Sequence, residues 1–172
     1  MNIILIGARG CGKSTVAPAL AAKLGWKSAD VDDEIERRAS MTVKEIFAAE
    51  GEPGFRSREA VVLLDLLKVP QTVVSVGGGT VLAEANREAM RAAGPIVWLK
   101  ASVESLLKRM QGDQTSDSRR PSLTGHDPEV EVPLLLARRE PIYAAIATIC
   151  VLTDHRTLTD IVAEIMSQVG KG

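Results

Sequence analysis

The sequence predicts an α/β protein, a mainly parallel sheet covered by helices on both faces. Short apolar runs alternate with longer stretches of helical periodicity along the 172-residue chain. Strands separated by helices call for right-handed crossovers and parallel pairing. The residues least suited to regular structure, at 7–14, 30–32 and 77–79, each fall at the end of a predicted strand. That is the carboxyl edge, where sheets of this kind collect ligands.

IILI at 3–6 is a buried strand, and 14–25 a helix stopped by Gly25. A second strand at 26–32 ends in carboxylates, and 34–40 is helical. Thr42 with Glu45 forms a capping-box pattern for a helix reaching Ala49. Residues 56–68 carry apolar side chains at helical spacing, and β-branched 72–76 is a strand running into three glycines. Helix 82–94, strand 96–100 and helix 102–110 follow. Residues 111–128 are polar and rich in breakers, hence a loop. Helix 129–146 carries Pro133 early and is expected to be disturbed at Pro141. The strand at 147–152 precedes a last helix that Thr157 and Asp160 cap and that runs to about Val169. There is no internal repeat.

Composition narrows the partners. A hydrophobic content of 45% and a charged content of 25% suit one globular domain spanning 1–172. A net charge of −1 speaks against a general grip on nucleic acid or an anionic membrane. The 3% aromatic content speaks against a base-stacking surface. Residues 3–6 are too short for a leader's apolar region, and 144–152 is about half of a membrane span. Cys11 and Cys150 are too few for a disulfide framework and lack metal-site spacing, so a reducing cytoplasm is expected. No heptad or apolar surface stripe is evident, and a monomer is expected.

Gly7-Ala-Arg-Gly-Cys-Gly-Lys-Ser14 fits the P-loop pattern G-x-x-x-x-G-K-[ST]. Backbone N–H groups aimed at phosphate oxygens need unusual dihedrals and close approach, hence glycine. The following helix adds the positive end of its dipole. Lys13 reaches the β- and γ-phosphates, and Ser14 offers a hydroxyl to Mg²⁺. Cys11, near a helix N-terminus, has a reactive reading; a small loop filler is the plainer one. The chain lacks the N-K-x-D and D-x-x-G pair of a GTPase and is short for a motor. A small kinase using ATP remains.

Three groups are suited to an acceptor. Asp30 and Asp32, alternating on a strand end, project to the same face, where paired carboxylates are unfavourable unless used. One suits Mg²⁺ through water, the other the proton of a substrate hydroxyl; the plainer alternative is that Asp32 or Asp33 is an N-cap for the next helix, which suits Asp33 better than all three. Arg56, at a helix start, has Glu59 three residues on, which suits an anionic ligand, although an i,i+3 surface pair is common. Gly77, Gly78 and Gly79 let a ligand touch backbone. Arg119 and Arg120 lie in the polar loop, where an arginine can close over the γ-phosphate. Arg138 and Arg139 are, by spacing alone, a solvated pair.

The motifs GARGCGKST, DVDDEIE, MTVKEIFAAEGEPGFRSRE, VVSVGGGTVL, RRPSLTG and RREPIY occur in that order, and together the chain resembles the shikimate kinases. The resemblance implies a three-layer P-loop fold with a five-stranded parallel sheet and a mobile lid at about 111–127. It places a substrate-binding region at about 31–60. It implies ATP-dependent phosphorylation of the 3-hydroxyl of shikimate, on the route to aromatic amino acids. On these motifs Gly10, Cys11, Gly12, Lys13, Ser14 and Thr15 bind phosphates. Ser14 and Asp30 serve Mg²⁺, and Asp32 binds shikimate hydroxyls and acts as general base. Arg56 and Arg139 clamp the carboxylate, Glu59 orients Arg56, and 77–79 contact shikimate through backbone. Arg120 is the lid arginine and Arg156 lies near adenine. Lys13, Asp32 and Arg120 form the catalytic set. A gluconate kinase relative, a nucleoside monophosphate kinase and a non-catalytic nucleotide-binding protein are the rival readings.

Overall fold

A computed structural model describes residues 1–112 and 126–170. The strands are β1 (Ile3–Ile6), β2 (Lys27–Asp30), β3 (Thr72–Ser75), β4 (Ile96–Lys100) and β5 (Ile149–Leu152). The helices are α1 (Lys13–Leu24), α2 (Val31–Ala39), α3 (Val43–Leu67), α4 (Glu84–Ala93), α5 (Val103–Gly112), α6 (Pro128–Ile146) and α7 (Leu158–Val169). A 3₁₀ turn, Thr80–Leu82, precedes α4.

The five strands form one sheet in the order β2-β3-β1-β4-β5, every pair parallel. β1 is central and all four of its residues are buried. Side chains alternate across a strand, so Ile3 and Leu5 enter one core with Val16 and Leu20 of α1 and Ile161 and Ile165 of α7. Ile4 and Ile6 enter the other with Ile35, Ile46, Leu63 and Tyr143. Two cores on one sheet make the three layers that the sequence predicts.

The crossover from β1 leaves toward β2, while that from β3 returns past β1 to β4. The loops after β1 and β3 therefore flank a crevice at the carboxyl edge, the place where such sheets bind ligands.

Several expectations are corrected. The second strand stops at Asp30, and α2 begins at Val31, because the Asp30 carboxylate accepts from the backbone N–H groups of Asp32 (2.9 Å) and Asp33 (3.3 Å). Asp30, not Asp33, is thus the N-cap, and Asp30 and Asp32 do not alternate on a strand. The helices expected at 42–49 and 56–68 both form, running together as α3 but separated by a kink at Gly51, whose φ is 68° and ψ −177°. Pro141 does not break α6, which continues from Pro128 to Ile146. The Thr42–Glu45 capping box forms as expected, with both reciprocal bonds present. The Thr157 hydroxyl likewise caps α7 through Asp160 N–H.

Candidate active site

The crevice has two halves. After β1 the chain turns through Gly7, Gly10 and Gly12, all at positive φ, and enters α1 with Gly12 as a left-handed N-cap. Gly12 at φ 102° holds a backbone that an L side chain resists. Gly7 is needed for space as well, since a Cβ there would stand 2.5 Å from Leu99 O. Lys13 Nζ folds back over the loop and donates to Gly7 O at 2.8 Å and Ala8 O at 2.9 Å. Its ammonium is thereby held at the mouth of the loop. Ser14 and Thr15 are exposed at the start of α1, while the Cys11 side chain is buried. That burial makes Cys11 the loop filler of the plainer reading.

The other half is a cleft open to solvent, with ≈ 580 Å³ of space that includes part of that solvent. Asp32, Arg56, Glu59, Gly77, Gly78, Gly79 and Arg139 all line it. Four separate elements supply them, and this convergence was not visible in any single motif. Asp32 is buried in the first turn of α2, where the helix dipole favours a carboxylate. Glu59, 1% exposed, accepts from Arg56 Nη1 at 2.8 Å and from the buried Thr80 hydroxyl at 2.7 Å. Arg56 also meets Glu52 at 3.1 Å. Burial works against the Arg56 charge, but Glu59, then Glu52, outweigh it, and the pKa is raised.

The three glycines are close-approach positions. A Cβ on Gly77 would stand 3.1 Å from Glu59 Oε1 and 3.4 Å from Asp32 Oδ1. On Gly79 it would stand 2.5 Å from Arg56 Nη2. On Gly78 it would crowd Arg139 Nη1 at 3.2 Å and Gly7 O at 3.4 Å. The glycine run therefore lets both arginines, both carboxylates and the phosphate loop share one space. Arg139, buried on α6, is part of this cluster rather than of a solvated arginine pair.

One expected residue stands elsewhere. Arg156 is turned to α7, donating to Glu164 and to Asp160 O at 3.2 Å. Arg119 and Arg120, like the middle of the expected lid, lie outside the described residues. The sequence reading missed Arg9, Phe47, Phe55 and Glu131, which also line the cleft. Phe47 and Phe55 pack with ring centroids 4.8 Å apart, and Arg56 lies over Phe55 at 5.3 Å. Their helical spacing marks them as apolar but does not separate a cleft wall from a core. Arg109 was also missed: it ties Thr153 O (2.8 Å) to Gly10 O (3.4 Å), linking the phosphate loop to the end of β5.

Among the described residues no group of three or more His, Cys, Asp or Glu is arranged to hold a metal. A cation carried on nucleotide phosphates needs only one or two protein ligands. The exposed Ser14 fits that demand. Asp30 fits through water, since its cap uses Oδ1 and leaves Oδ2.

Comparisons with known proteins agree with this geometry. A family model described as shikimate kinase matches residues 9–170. The chain is 45% identical to the shikimate kinase of Rhodopirellula baltica over 96% of its length and 88% of the relative's. It is 45% identical to that of Symbiobacterium thermophilum, over 98% and 96% respectively. Among solved structures, the shikimate kinase of Acinetobacter baumannii in complex with shikimate superposes with a TM-score of 0.92 at 37% identity, covering 99% of this chain and 93% of that one. The Aquifex aeolicus shikimate kinase gives 0.83 at 32% identity, over 99% and 96%. A gluconokinase from Sinorhizobium meliloti, at 0.61 and 19% identity over 99% and 91%, shares the fold alone.

Proposed function

The chain belongs to the shikimate kinase family, and from that membership we propose how its residues divide the work. It is an enzyme that transfers a phosphoryl group from ATP to shikimate in aromatic biosynthesis. We assign the 3-hydroxyl as the acceptor, with shikimate 3-phosphate and ADP as products. The observation that carries the site assignment is the convergence of Asp32, Arg56, Arg139 and residues 77–79 on one cleft beside the P-loop.

The β- and γ-phosphates lie along the N–H groups of residues 10–15. Lys13 exchanges its bonds to Gly7 O and Ala8 O for phosphate oxygens. Mg²⁺, held by Ser14 and through water by Asp30, supplies charge neutralisation on the phosphates when bound. The shikimate carboxylate sits between Arg56 and Arg139, whose planar forks suit it better than ammonium groups. Glu59 fixes Arg56. Asp32 holds the reacting hydroxyl and takes its proton as the oxygen attacks the γ-phosphorus in line. Arg120, from the lid, and Lys13 carry the developing charge. Arg156 belongs to the adenine end. The enzyme works as a cytoplasmic monomer of one domain, independent of nucleic acid and membranes; no helix among the described residues is long and apolar enough to cross a membrane.

The test is ADP release from ATP·Mg²⁺ with shikimate, quinate, gluconate or AMP as acceptor, with Asp32→Asn as control. Release with shikimate alone, lost in Asp32→Asn while ATP still binds, is expected. Wild-type turnover in Asp32→Asn would remove the general base from this scheme, and release with gluconate would favour the rival that shares the fold.

A further inference from the structure

Tyr143 lies beneath the cleft and enters none of the roles above. It is fully buried, with its ring 5.8 Å from that of Trp98. A phenol taken out of water needs a partner. Here the partner is main chain, and Oη donates to Gly78 O at 2.6 Å. The hydroxyl also stands beside Arg139, one turn away on α6. A Cβ at Gly78 would lie 3.2 Å from Arg139 Nη1 and 3.3 Å from Tyr143 Oη, so both groups converge on one point. Burial, the larger influence, pushes the phenol pKa above its ordinary range, against the pull of the Arg139 charge and hydrogen bond. The hydroxyl therefore keeps its proton.

The direction of these bonds follows from chemistry. Gly78 O accepts only, and a guanidinium donates only. The single phenolic proton goes to Gly78 O, which leaves the Oη lone pairs for an N–H of Arg139. Toward Arg139, therefore, Oη presents lone pairs and no proton.

We propose that Tyr143 is a positioning residue for the substrate carboxylate: its hydroxyl, anchored on Gly78 O, holds the Arg139 guanidinium with its remaining fork turned to the cleft. This rests on the assignment of Arg139 to the carboxylate. Tyr143 touches no reacting atom, so its effect belongs to shikimate binding and not to phosphoryl transfer. The effect also depends on the ligand's negative charge, because it acts through a cation.

The experiment compares wild type, Tyr143→Phe and Arg139→Lys. Calorimetry gives Kd for shikimate and for its uncharged methyl ester, and steady-state assays give KM and kcat. Tyr143→Phe is expected to raise Kd and KM for shikimate about tenfold, as loss of a bond supporting a charged group does. The kcat, the KM for ATP and the Kd of the ester should each stay within about twofold. Equal weakening of acid and ester, or of neither, would overturn the inference and leave Tyr143 a packing residue. If Arg139→Lys leaves shikimate binding unchanged, the clamp assignment fails first. If Arg139→Lys weakens shikimate and Tyr143→Phe does not, only the present inference fails. Should Tyr143→Phe not fold, the chain offers another route, since Tyr143 is its only tyrosine. Biosynthetic 3-fluorotyrosine then places one ¹⁹F reporter beside the relay. Its resonance should move on saturation with shikimate and much less with the ester, and a resonance indifferent to shikimate would overturn the proposal.

Discussion

Gly79→Ala isolates the contact between the glycine run and Arg56 of the proposed carboxylate clamp. Gly79 has φ −97° and ψ −6°, a conformation open to other residues. A methyl group there adds no backbone strain and acts through one contact. The added Cβ would stand 2.5 Å from Arg56 Nη2 and 3.0 Å from both Cζ and Nη1. Comfortable separations of such atoms are about 3.5–4.0 Å, so the guanidinium must retreat by roughly 1 Å. It cannot take its partner along, because Glu59 is buried and also holds the Thr80 hydroxyl. Either the 2.8 Å bond to Glu59 or the bond to the substrate carboxylate is lost. A hydrogen bond to a charged group contributes about 1.5–3 kcal/mol, which is roughly 10- to 100-fold in affinity. The KM for shikimate should rise by that factor while the KM for ATP stays put, read from ADP release with each substrate varied against saturating partner. A shikimate KM within about twofold of wild type would refute the reasoning, and a parallel rise for ATP would place the damage in the phosphate loop instead.

Two further perturbations test the scaffold. Gly51 occupies a backbone region reserved almost wholly for glycine, and Gly51→Ala should cost about 1–3 kcal/mol. At roughly 2–4 °C per kcal/mol for a chain of this size, the thermal midpoint should fall by roughly 2–12 °C; an unchanged midpoint would show the kink is not needed. Hydrogen bonds from Arg37, then Arg38, hold the Glu34 carboxyl down at about 2 against an ordinary 4.5. Because the folded pKa is the lower one, the stabilisation is complete above the unfolded value and disappears as pH falls through about 2. Arg37 is 70% exposed, so solvent screening limits the contribution to about 1 kcal/mol or less. Denaturant titrations should find Glu34→Gln less stable than wild type by that amount at neutral pH and equal to it near pH 2, and a gap constant with pH would contradict the assignment.

Much of the fold was legible because the signals are local. Each buried strand reads as a short apolar run. The Thr42 and Thr157 caps follow from one residue and another three positions on. The errors sit where one local rule meets another. Pro141 is a helix breaker by propensity, yet α6 is packed over much of its length, with Arg139, Tyr143 and Ile146 buried around the proline, and tertiary contact overrides propensity. Gly51, by contrast, falls between the two helices expected there, and its non-helical dihedrals separate them.

The site was legible by residue type more than by geometry. The P-loop is a contiguous motif, and its lysine, glycines and helix stand where the spacing puts them. The aspartates show the opposite case. Period-two alternation and a helix start place Asp30 and Asp32 differently, and the choice turns on one atom, Asp30 Oδ1, which takes the N–H groups that begin α2. Once that cap forms, the two carboxylates separate into different tasks, one bound to the helix end and the other buried in the cleft wall. Their closeness in sequence is then the way a strand end and a helix start each deliver one acid. Arg139 makes the same point from a distance. Spacing along α6 does not distinguish it from Arg138, and Gly78, some sixty residues earlier, lacks the side chain that would crowd it. Room for the two arginines in this cleft is thus written in an absence of atoms on the loop after β3 as much as in the arginines themselves, and spacing on either element alone does not reveal it.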